Sequence, residues 1–378
     1  MKKILHLTPV YKNFSETFIW EHINDYSSFL NTKVVCAISN QPYHEYISVI
    51  KGKDSNLLCK LKFKLVSKFF PIKYFNYADL KNVVRDYSPD IIHAHFGYFI
   101  GDLVSLSEDF RFTKLIISFH GTDLNSIIRN SNGHLRSLNR ICLNPNITCV
   151  FPSDFLRQSF LNIVKSQPKC VCSVVYNPVN PLFYNAWSST RINFEFEKYI
   201  NLISVGRLVK VKGFEYAIKA IPMLLSKGIK VSYTLIGVGE DKDRLSKLVR
   251  KLGLQENVHF KGKMNTLEII SQIQASDIYI QPSVKLSNGQ EESFGLAALE
   301  AAVTGIPVIV SESGGLPEVI DSSNQLHYSV TPNSPVRIAE KICKIIDIYY
   351  PVKLNENYLV KFSKDAIYSK WDDIYEIN

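Results

Sequence analysis

The sequence predicts an α/β protein with two doubly wound parallel sheets. Short apolar runs alternate with longer amphipathic stretches along most of the 378 residues, and such alternation is typical of β-α-β units. Eleven runs have the length of buried strands, which is more than one twisted sheet with full helical cover usually holds. Because a chain of this length also tends to divide into domains, two sheets fit the pattern better than one.

The predicted elements follow one another in β-α order. Strand candidates in the first half are 4–7, 33–37, 91–94, 115–119, 148–151 and 171–175. The second half adds 201–205, 231–236, 258–261, 278–281 and 307–311. Helical patterns between the later strands include 213–227, 241–252 and 299–304. Apolar residues at helical spacing also predict a C-terminal helix, with Ser363 as its N-cap and a buried face made by Phe362, Ile367, Trp371 and Ile374.

The domain boundary is predicted in the segment Tyr176–Asn185, which is rich in proline and asparagine. We therefore expect a first domain at residues 1–180 and a second at 186–355, followed by a C-terminal helical segment at 356–378.

Composition excludes several classes of protein. With 46% hydrophobic and 21% charged residues, the chain is neither disordered nor a collagen-like fibre. The net charge is +9, and residues 1–185 hold 21 basic against 13 acidic side chains. This asymmetry favours an anionic partner such as phosphate, acidic lipid or nucleic acid. A nucleic-acid binder is disfavoured, because the basic residues are not interleaved with aromatic residues on exposed strands.

Cysteine usage and the N-terminus indicate the compartment. The seven cysteines are scattered, odd in number and without a C-x-x-C pair, which fits reduced thiols in a cytosolic protein. The opening MKKILHLTPVYK resembles a signal peptide, but its apolar stretch is short and is interrupted by His6. We interpret it as a first strand and expect a cytoplasmic protein without a membrane-spanning segment.

The segment Gln281–Ile320 has the strongest chemical pattern. It is predicted to form a strand, a loop, a helix that begins near Gly295 and Leu296, and a second strand. Backbone N–H groups at a helix start bind anions, and Glu292 and Glu300 can accept hydrogen bonds from sugar or ribose hydroxyls. The alternative is an ordinary helix with solvated carboxylates.

A second pattern places two cations after a predicted strand. In Ser204–Ile221, the strand runs into Gly206, Arg207 and Lys212 before an amphipathic helix. Open α/β sheets bind ligands at the carboxyl ends of their strands, and guanidinium groups pair with phosphates. The pattern fits a diphosphate leaving group. The alternative is a turn with two solvated charges.

These motifs together resemble the retaining nucleotide-sugar glycosyltransferases of family 4, over nearly the whole chain. The resemblance rests on EESFGLAALE, GRLVKVKG, LIGVGED (Leu235–Asp241) and SESGGLPEVI in the second half. In the first half, features of the exopolysaccharide-building branch are SETFI (Ser15–Ile19), HAHFG (His93–Gly97) and SFHGTD (Ser118–Asp123). The resemblance implies the GT-B fold, with two Rossmann-like domains facing across a cleft and a C-terminal helix crossing back to the first domain.

The resemblance also implies an activity. A hexosyl or related glycosyl group would move, with retention, from a nucleotide-diphosphate sugar to a glycan acceptor in bacterial capsule, lipopolysaccharide or other surface polysaccharide biosynthesis. Fixed cations and helix amides would stabilise the departing phosphate, so no metal is expected. The alternatives are a non-catalytic GT-B scaffold of a polysaccharide assembly complex, and a GT-B phosphorylase or nucleotide-sugar epimerase.

Roles in the second domain carry over residue by residue. Arg207 and Lys212 would hold the diphosphate and stabilise it as it departs. Glu300 would bind the ribose of the nucleotide, and Glu292 the hydroxyls of the transferred sugar. The backbone amides around Phe294, Gly295 and Leu296 would complete the phosphate cradle. Gly237 would form a glycine turn near the nucleotide.

In the first domain, the resemblance implies that His120 faces the donor sugar and that Asp123 orients it. The family often has a glycine pair in its first loop, but this chain has PVYKNFSET there. The role of that loop stays open, with candidate contacts at Ser15, Glu16 and Thr17.

Two further features have competing interpretations. His93 and His95 alternate on a strand and point the same way, so they are either metal ligands without an apparent third partner, or part of the strand end or a substrate rim. Residues 57–70, LLCKLKFKLVSKFF, have a broad apolar face flanked by lysines. They form either an interfacial helix on anionic lipid at the inner face of the membrane, which favours a lipid-linked acceptor, or a core helix.

Overall fold

The computed structural model describes residues 1–11, 17–39, 47–49, 74–110, 113–130, 132–164, 167–186, 200–347 and 355–377. The chain divides into two compact units: unit 1 is Met1–Tyr176 with Trp371–Asn378, and unit 2 is Asn177–Lys370. The segment at 57–70 and the loop residues Ser15 and Glu16 lie outside the described residues.

Unit 1 is built on a seven-stranded parallel sheet. Its strands are β1 (Lys3–Tyr11), β2 (Asn31–Ser39), β3 (Ile47–Val49), β4 (Ile91–His95), β5 (Lys114–Ser118), β6 (Ile147–Phe151) and β7 (Val171–Val174). Their spatial order is β3-β2-β1-β4-β5-β6-β7, and all neighbours are parallel. The central strands are buried on both faces, as at β4, where every residue is buried, because helices cover both sides of such a sheet.

The helices of unit 1 follow the strands in sequence. They span Thr17–Ser27, Tyr77–Tyr87, Ile100–Asp109, Thr122–Asn130, Asn132–Cys142 and Asp154–Ile163. The helix Lys364–Tyr375 ends in this unit, where Trp371 and Tyr375 are buried. Ser363 caps that helix, since its hydroxyl accepts a hydrogen bond from the N–H of Ala366 at 3.2 Å.

Unit 2 repeats the architecture with six parallel strands. They are β8 (Ile200–Val205), β9 (Val231–Ile236), β10 (Val258–Gly262), β11 (Ile278–Gln281), β12 (Val308–Ser311) and β13 (His327–Val330). The order is β10-β9-β8-β11-β12-β13. The helices are Pro181–Asn185, Phe214–Leu225, Lys242–Lys251, Thr266–Gln274, Leu296–Val303, Pro335–Asp347 and Glu356–Lys361.

These sheets confirm the predicted fold class. All eleven predicted strands are present, and the structure adds two short outer strands, β3 and β13. In the C-terminal helix, Ile367 and Trp371 are buried as predicted, but the buried residue of the last turn is Tyr375 rather than Ile374. Within the described ranges, no helix is both long enough and apolar enough to cross a bilayer.

Strand order fixes where a ligand can bind. In unit 1 the order reverses between β1 and β4, and in unit 2 it reverses between β8 and β11. Connections on the two sides of such a point leave in opposite directions, which opens a crevice at the carboxyl ends of the strands. The motif that begins at Gly206 follows β8, and the loop that contains Glu292 follows β11.

Candidate active site

An ion pair lies at the switch point of unit 2, the place between β8 and β11 where the strand order reverses. The ammonium Nζ of Lys212 is 2.6 Å from Oε2 of Glu292, and each side chain is only 14% exposed. Lys212 ends the short helical turn Lys210–Lys212 after β8, whereas Glu292 belongs to the loop after β11. The neighbouring positions of β8 and β11 bring together two residues that are 80 positions apart in sequence.

The carboxylate of Glu292 has further donors. Its Oε2 accepts hydrogen bonds from Nε2 of Gln281 at 3.1 Å and from Oγ of Ser283 at 3.3 Å. Burial alone would raise the pKa of Glu292, but the Lys212 charge and these hydrogen bonds outweigh burial and lower the pKa below its ordinary value. Glu292 is therefore an ionised, oriented acceptor at neutral pH.

Gln281 is itself held in place. The hydroxyl of Tyr279 donates to Oε1 of Gln281 at 2.9 Å, which leaves the amide nitrogen directed at Glu292. Sequence reasoning missed Gln281 and Ser283 as site residues, although both stand at the carboxyl end of a predicted strand, where ligand-binding residues gather.

Glycines allow the site loops to approach one another closely. A Cβ atom at Gly237 would lie 1.9 Å from the carbonyl oxygen of Gly206, and one at Gly314 would lie 1.8 Å from that of Glu292. Both glycines have positive φ, 138° and 61°. The backbone contacts at Gly314 and Gly237 therefore depend on the absence of a side chain.

A helix begins beside the ion pair. Gly295, with φ of 101°, is the N-cap of helix Leu296–Val303, and Phe294 before it is buried. The first N–H groups of a helix have no partner within it and carry partial positive charge. Glu300 lies in the same helix and is half-buried.

The structure also places Arg207. It follows Gly206 directly, at the end of β8, and its side chain is exposed. The side chain of Lys212 packs against the turn at Gly206, since a Cβ atom built at Gly206 would lie 3.5 Å from Cε of Lys212. One cation of the predicted pair is thus held by a carboxylate, and the other is open to solvent.

In unit 1, Asp123 organises the loop that carries His120. Its buried carboxylate accepts hydrogen bonds from the backbone N–H groups of Gly97, His120, Gly121 and Leu124 at 2.7–3.1 Å. Burial raises the pKa of Asp123, and the four N–H donors act in the opposite direction. Because both oxygens are occupied by backbone groups, Asp123 fixes the loop between β5 and the next helix.

His120 has the character of a ligand-binding residue. Neither of its buried ring nitrogens has a hydrogen-bond partner among the residues that the structure describes. Its ring packs against Phe18 and Phe96, at centroid distances of 5.1 and 4.8 Å. Burial lowers the pKa of His120 to about 3, so it is a neutral hydrogen-bonding group at pH 7 rather than a cation.

Phe96 is held in an unusual backbone conformation. It follows β4 with φ of 120° and ψ of 140°, a region that residues with side chains rarely adopt. Its N–H donates to the carbonyl of Ser118 at 2.9 Å. Strain of this kind persists where the surroundings enforce it and is frequent at functional sites, which supports the importance of this edge of the unit 1 sheet.

A cluster of buried histidines lies next to this edge. His6 on β1 and His93 and His95 on β4 are all buried, and His22 from helix Thr17–Ser27 joins them. The sequence analysis found His93 and His95 but missed the other two. His6 could have been found only from the pairing of the strands, because His6 and His93 occupy paired positions on β1 and β4.

We expect the buried histidines of unit 1 to make the folded protein less stable in acid. Burial lowers the pKa of His22 and His120 from the ordinary 6.5 to about 3. Burial also lowers the pKa values of His6, His93 and His95 well below the ordinary 6.5. Below about pH 6.5 the unfolded chain therefore binds more protons than the folded one, and stability falls as the pH falls. Each buried histidine contributes a slope of up to about 1.4 kcal/mol per pH unit.

We therefore expect the free energy of unfolding, measured by urea titration in buffer with a chelator, to fall steeply between about pH 7 and pH 5. His22→Gln, which cannot take up that proton, should give a shallower slope. A free energy that stays constant across this range would show that the histidines are not buried in neutral form.

In comparisons with known proteins, each half of the chain matches a glycosyltransferase family model. Residues 186–359 match the model of "Glycosyl transferases group 1", and residues 13–153 match that of "Glycosyl transferase 4-like". An uncharacterized glycosyltransferase of Methanocaldococcus jannaschii, MJ1607, is 27% identical over 299 residues, covering 75% of this chain and 73% of its own. The amylovoran biosynthesis glycosyltransferase AmsK of Erwinia amylovora is 27% identical over 239 residues, covering 63% of this chain and 56% of its own.

Solved structures share the fold across the full chain. Sucrose-phosphate synthase from Thermosynechococcus elongatus has a TM-score of 0.74 at 17% identity, covering 100% of this chain and 98% of its own. Anabaena Alr3699/HepE, solved in complex with UDP and glucose, has a TM-score of 0.71 at 18% identity, and each chain is covered completely. At such low identity these likenesses show the fold alone.

Proposed function

We propose that this chain, whose two halves match glycosyltransferase family models and whose fold is of the GT-B type, transfers a sugar with retention from a nucleotide-diphosphate sugar to a glycan acceptor. The observation that carries the proposal is the Lys212–Glu292 pair, held at 2.6 Å at the switch point of unit 2, in the same loop region as the start of helix Leu296–Val303.

The reaction requires stabilisation of a leaving diphosphate. As the glycosidic bond breaks, the sugar acquires oxocarbenium character and negative charge grows on the phosphate oxygens. Lys212 and Arg207, with the N–H groups around Phe294, Gly295 and Leu296, are the groups that would meet that charge. Preoriented donors of this kind are usually the largest catalytic contribution, and no resident metal is assigned to this step.

The carboxylates would bind hydroxyl groups. Glu292 is ionised and fixed by three neighbours, so it suits the hydroxyls of the transferred sugar. Glu300, in the same loop–helix segment, would accept from the ribose. The close backbone approach at Gly237 shapes the turn next to Arg207, where the nucleotide would lie.

Unit 1 would supply a neutral hydrogen-bonding group. His120 has two ring nitrogens without partners in the described chain, and an uncharged imidazole can bind a sugar hydroxyl as donor or acceptor. Asp123 would act on the ligand only through the backbone of this loop, because its oxygens are already occupied.

For the acceptor we propose a lipid-linked glycan of a surface polysaccharide. Two relatives are named for such pathways: AmsK for amylovoran, and the putative glycosyltransferase WcaL of Escherichia coli for colanic acid, the latter 29% identical over 143 residues, 38% of this chain and 35% of its own. A cytoplasmic enzyme that contacts the inner face of the membrane would meet this acceptor. Vesicle partitioning of the protein, with phosphatidylglycerol against phosphatidylcholine, tests that contact.

Two substitutions test the donor site. Arg207→Ala and Glu300→Gln each remove a charged hydrogen-bonding group, so each should lower kcat/KM for the donor by roughly 10–100-fold. Arg250→Ala and Glu256→Gln, at exposed positions of unit 2, are the matched controls and should retain activity. Wild-type turnover in both site variants would contradict the assignment.

Product analysis distinguishes the proposal from its alternatives. Nuclear magnetic resonance of the product should show the anomeric configuration of the donor. Donor binding without turnover on any glycan acceptor would indicate a scaffold. Conversion of the donor without an acceptor would indicate an epimerase, and a requirement for inorganic phosphate would indicate a phosphorylase.

A further inference from the structure

We propose that His6, His93 and His95 form a binding site for a divalent transition-metal ion, with Zn²⁺ as the expected occupant, in unit 1. One ring nitrogen of each residue lies within 4.8 Å of those of the other two. The site is separate from the transfer chemistry proposed above, and its role is to hold the first strand of the unit to the strand beside it.

Strand register creates the triad. His93 and His95 are two positions apart on β4, so both project from the same face of the sheet. His6 on the parallel strand β1 is the register partner of His93, and this places its ring beside the other two. His6, which lies 87 residues before His93 in the sequence, thus supplies the third ligand that His93 and His95 need.

The distances fit a metal after small side-chain rotations. Nδ1 of His6 is 3.0 Å from Nε2 of His95. In a tetrahedral zinc site with Zn–N bonds of about 2.0–2.1 Å, ligand nitrogens are roughly 3.3 Å apart. Two ring nitrogens at 3.0 Å share one proton in an N–H···N hydrogen bond. A metal ion can take the place of that proton when the proton moves to the other nitrogen of its own ring, because metals and protons compete for imidazole nitrogens.

One atom in the cluster points directly to a missing partner. Nε2 of His6 is buried and has no hydrogen-bond partner in the part of the chain that the structure describes. Leaving such a group unpaired costs about 1–3 kcal/mol. A neutral imidazole carries its proton on one ring nitrogen and can bind a metal ion through the other, so either nitrogen of His6 can serve as the ligand.

The surroundings resemble the outer shell of a metal site. His93 bonds to the hydroxyl of Tyr375 at 2.6 Å through Nδ1 and to that of Ser118 at 2.8 Å through Nε2. When one nitrogen binds the metal, the other keeps a hydroxyl partner, which fixes the ring as in known metal sites. Burial lowers the pKa of all three histidines, so protons do not block them at pH 7.

The donor set selects the class of ion. Three imidazoles suit Zn²⁺, Cu²⁺, Ni²⁺ or Fe²⁺ and disfavour Mg²⁺ and Ca²⁺, which prefer oxygen ligands. Three protein ligands leave a fourth position for water or a small anion. His22 is a matched control for the metal ligands. Its Nε2 contacts the Tyr375 hydroxyl at 2.7 Å, the same hydroxyl that His93 contacts, but His22 is not one of the three ligands.

The test is metal content and binding in the full chain, purified without a histidine tag. We expect about one zinc per chain by mass spectrometry and, after treatment with a chelator, binding of one Co²⁺ with the visible spectrum of a tetrahedral nitrogen-ligated site. Zn²⁺ should also raise the melting temperature of the metal-free protein, since it binds the folded state. His95→Gln should weaken Co²⁺ binding at least tenfold, whereas His22→Gln and His259→Gln should bind like the wild type.

Three results would overturn the proposal: no stoichiometric Zn²⁺ or Co²⁺ binding by the wild type, undiminished binding by His95→Gln, or a sulfur-to-cobalt charge-transfer band. The last would place the ion at the thiols of Cys149, Cys170 and Cys172 instead. The sulfur of Cys170 is 4.0 Å from that of Cys149 and 3.9 Å from that of Cys172. The wild-type spectrum alone decides between nitrogen and sulfur ligands, even if a variant does not fold.

Discussion

Replacing Lys212 with alanine is expected to lower kcat/KM by about 10²–10³-fold, the usual effect of removing one preoriented donor from a developing negative charge. Lys212 is largely buried beside Glu292, so its ammonium is already desolvated and fixed. Steady-state kinetics with the nucleotide-sugar donor measures the loss. Lys219→Ala, which removes a more exposed lysine of the same unit, is the matched control.

The same substitution has a second expected effect. Without Lys212, the Glu292 carboxylate loses the charge that keeps its pKa low while burial continues to raise it. The acid limb of the pH–rate profile should therefore move to higher pH. The double variant Lys212→Ala/Glu292→Gln removes this movement. Activity within a factor of two of the wild type, with an unchanged profile, would exclude Lys212 from the site.

Gly237→Ala is expected to cause the largest loss of stability among the site variants. The added Cβ would lie 1.9 Å from the carbonyl oxygen of Gly206, and that backbone atom cannot move away as a flexible side chain could. The residue also has φ of 138°, which alanine rarely adopts. We expect a loss of roughly 3–4 kcal/mol in the free energy of unfolding, with weaker nucleotide binding in the fraction that folds.

Gly228→Ala is the matched control for this clash. Gly228 also has positive φ, 77°, but nothing lies within 4 Å of its would-be Cβ. Its cost should be the backbone strain alone, about 1–2 kcal/mol, with donor binding unchanged. Equal losses for the two variants in urea unfolding would mean that backbone conformation, not the contact with Gly206, makes Gly237 necessary.

The fold could be predicted from sequence because most central strands are short, mainly apolar runs, each separated from the next by a helical pattern. The two strands that escaped prediction, β3 and β13, have only three and four residues and add to the outer edges of their sheets. Their sequences, ISV and HYSV, contain no longer apolar run that would give a strand pattern. Their structure depends on pairing with a neighbour.

The site could be predicted only in part. Glycine spacing and charge located Arg207, Lys212, Glu292 and Glu300 as separate motifs. That Lys212 and Glu292 form one ion pair depends on β8 and β11 being neighbours, which strand order decides and local pattern does not reveal. The histidine triad has the same origin, since His6 reaches His93 only when β1 lies beside β4.

The most direct test of a nucleotide-diphosphate-sugar site is binding of the nucleoside diphosphate itself. UDP, GDP, ADP and dTDP, each at millimolar concentration, would be compared by thermal shift with the wild type and the Glu300→Gln and Glu256→Gln variants. We predict that one nucleotide raises the melting temperature of the wild type and of Glu256→Gln by mass action, and that Glu300→Gln loses most of the shift. No shift with any nucleotide, or an equal shift in Glu300→Gln, would contradict the site that we assign at the carboxyl edge of the unit 2 sheet.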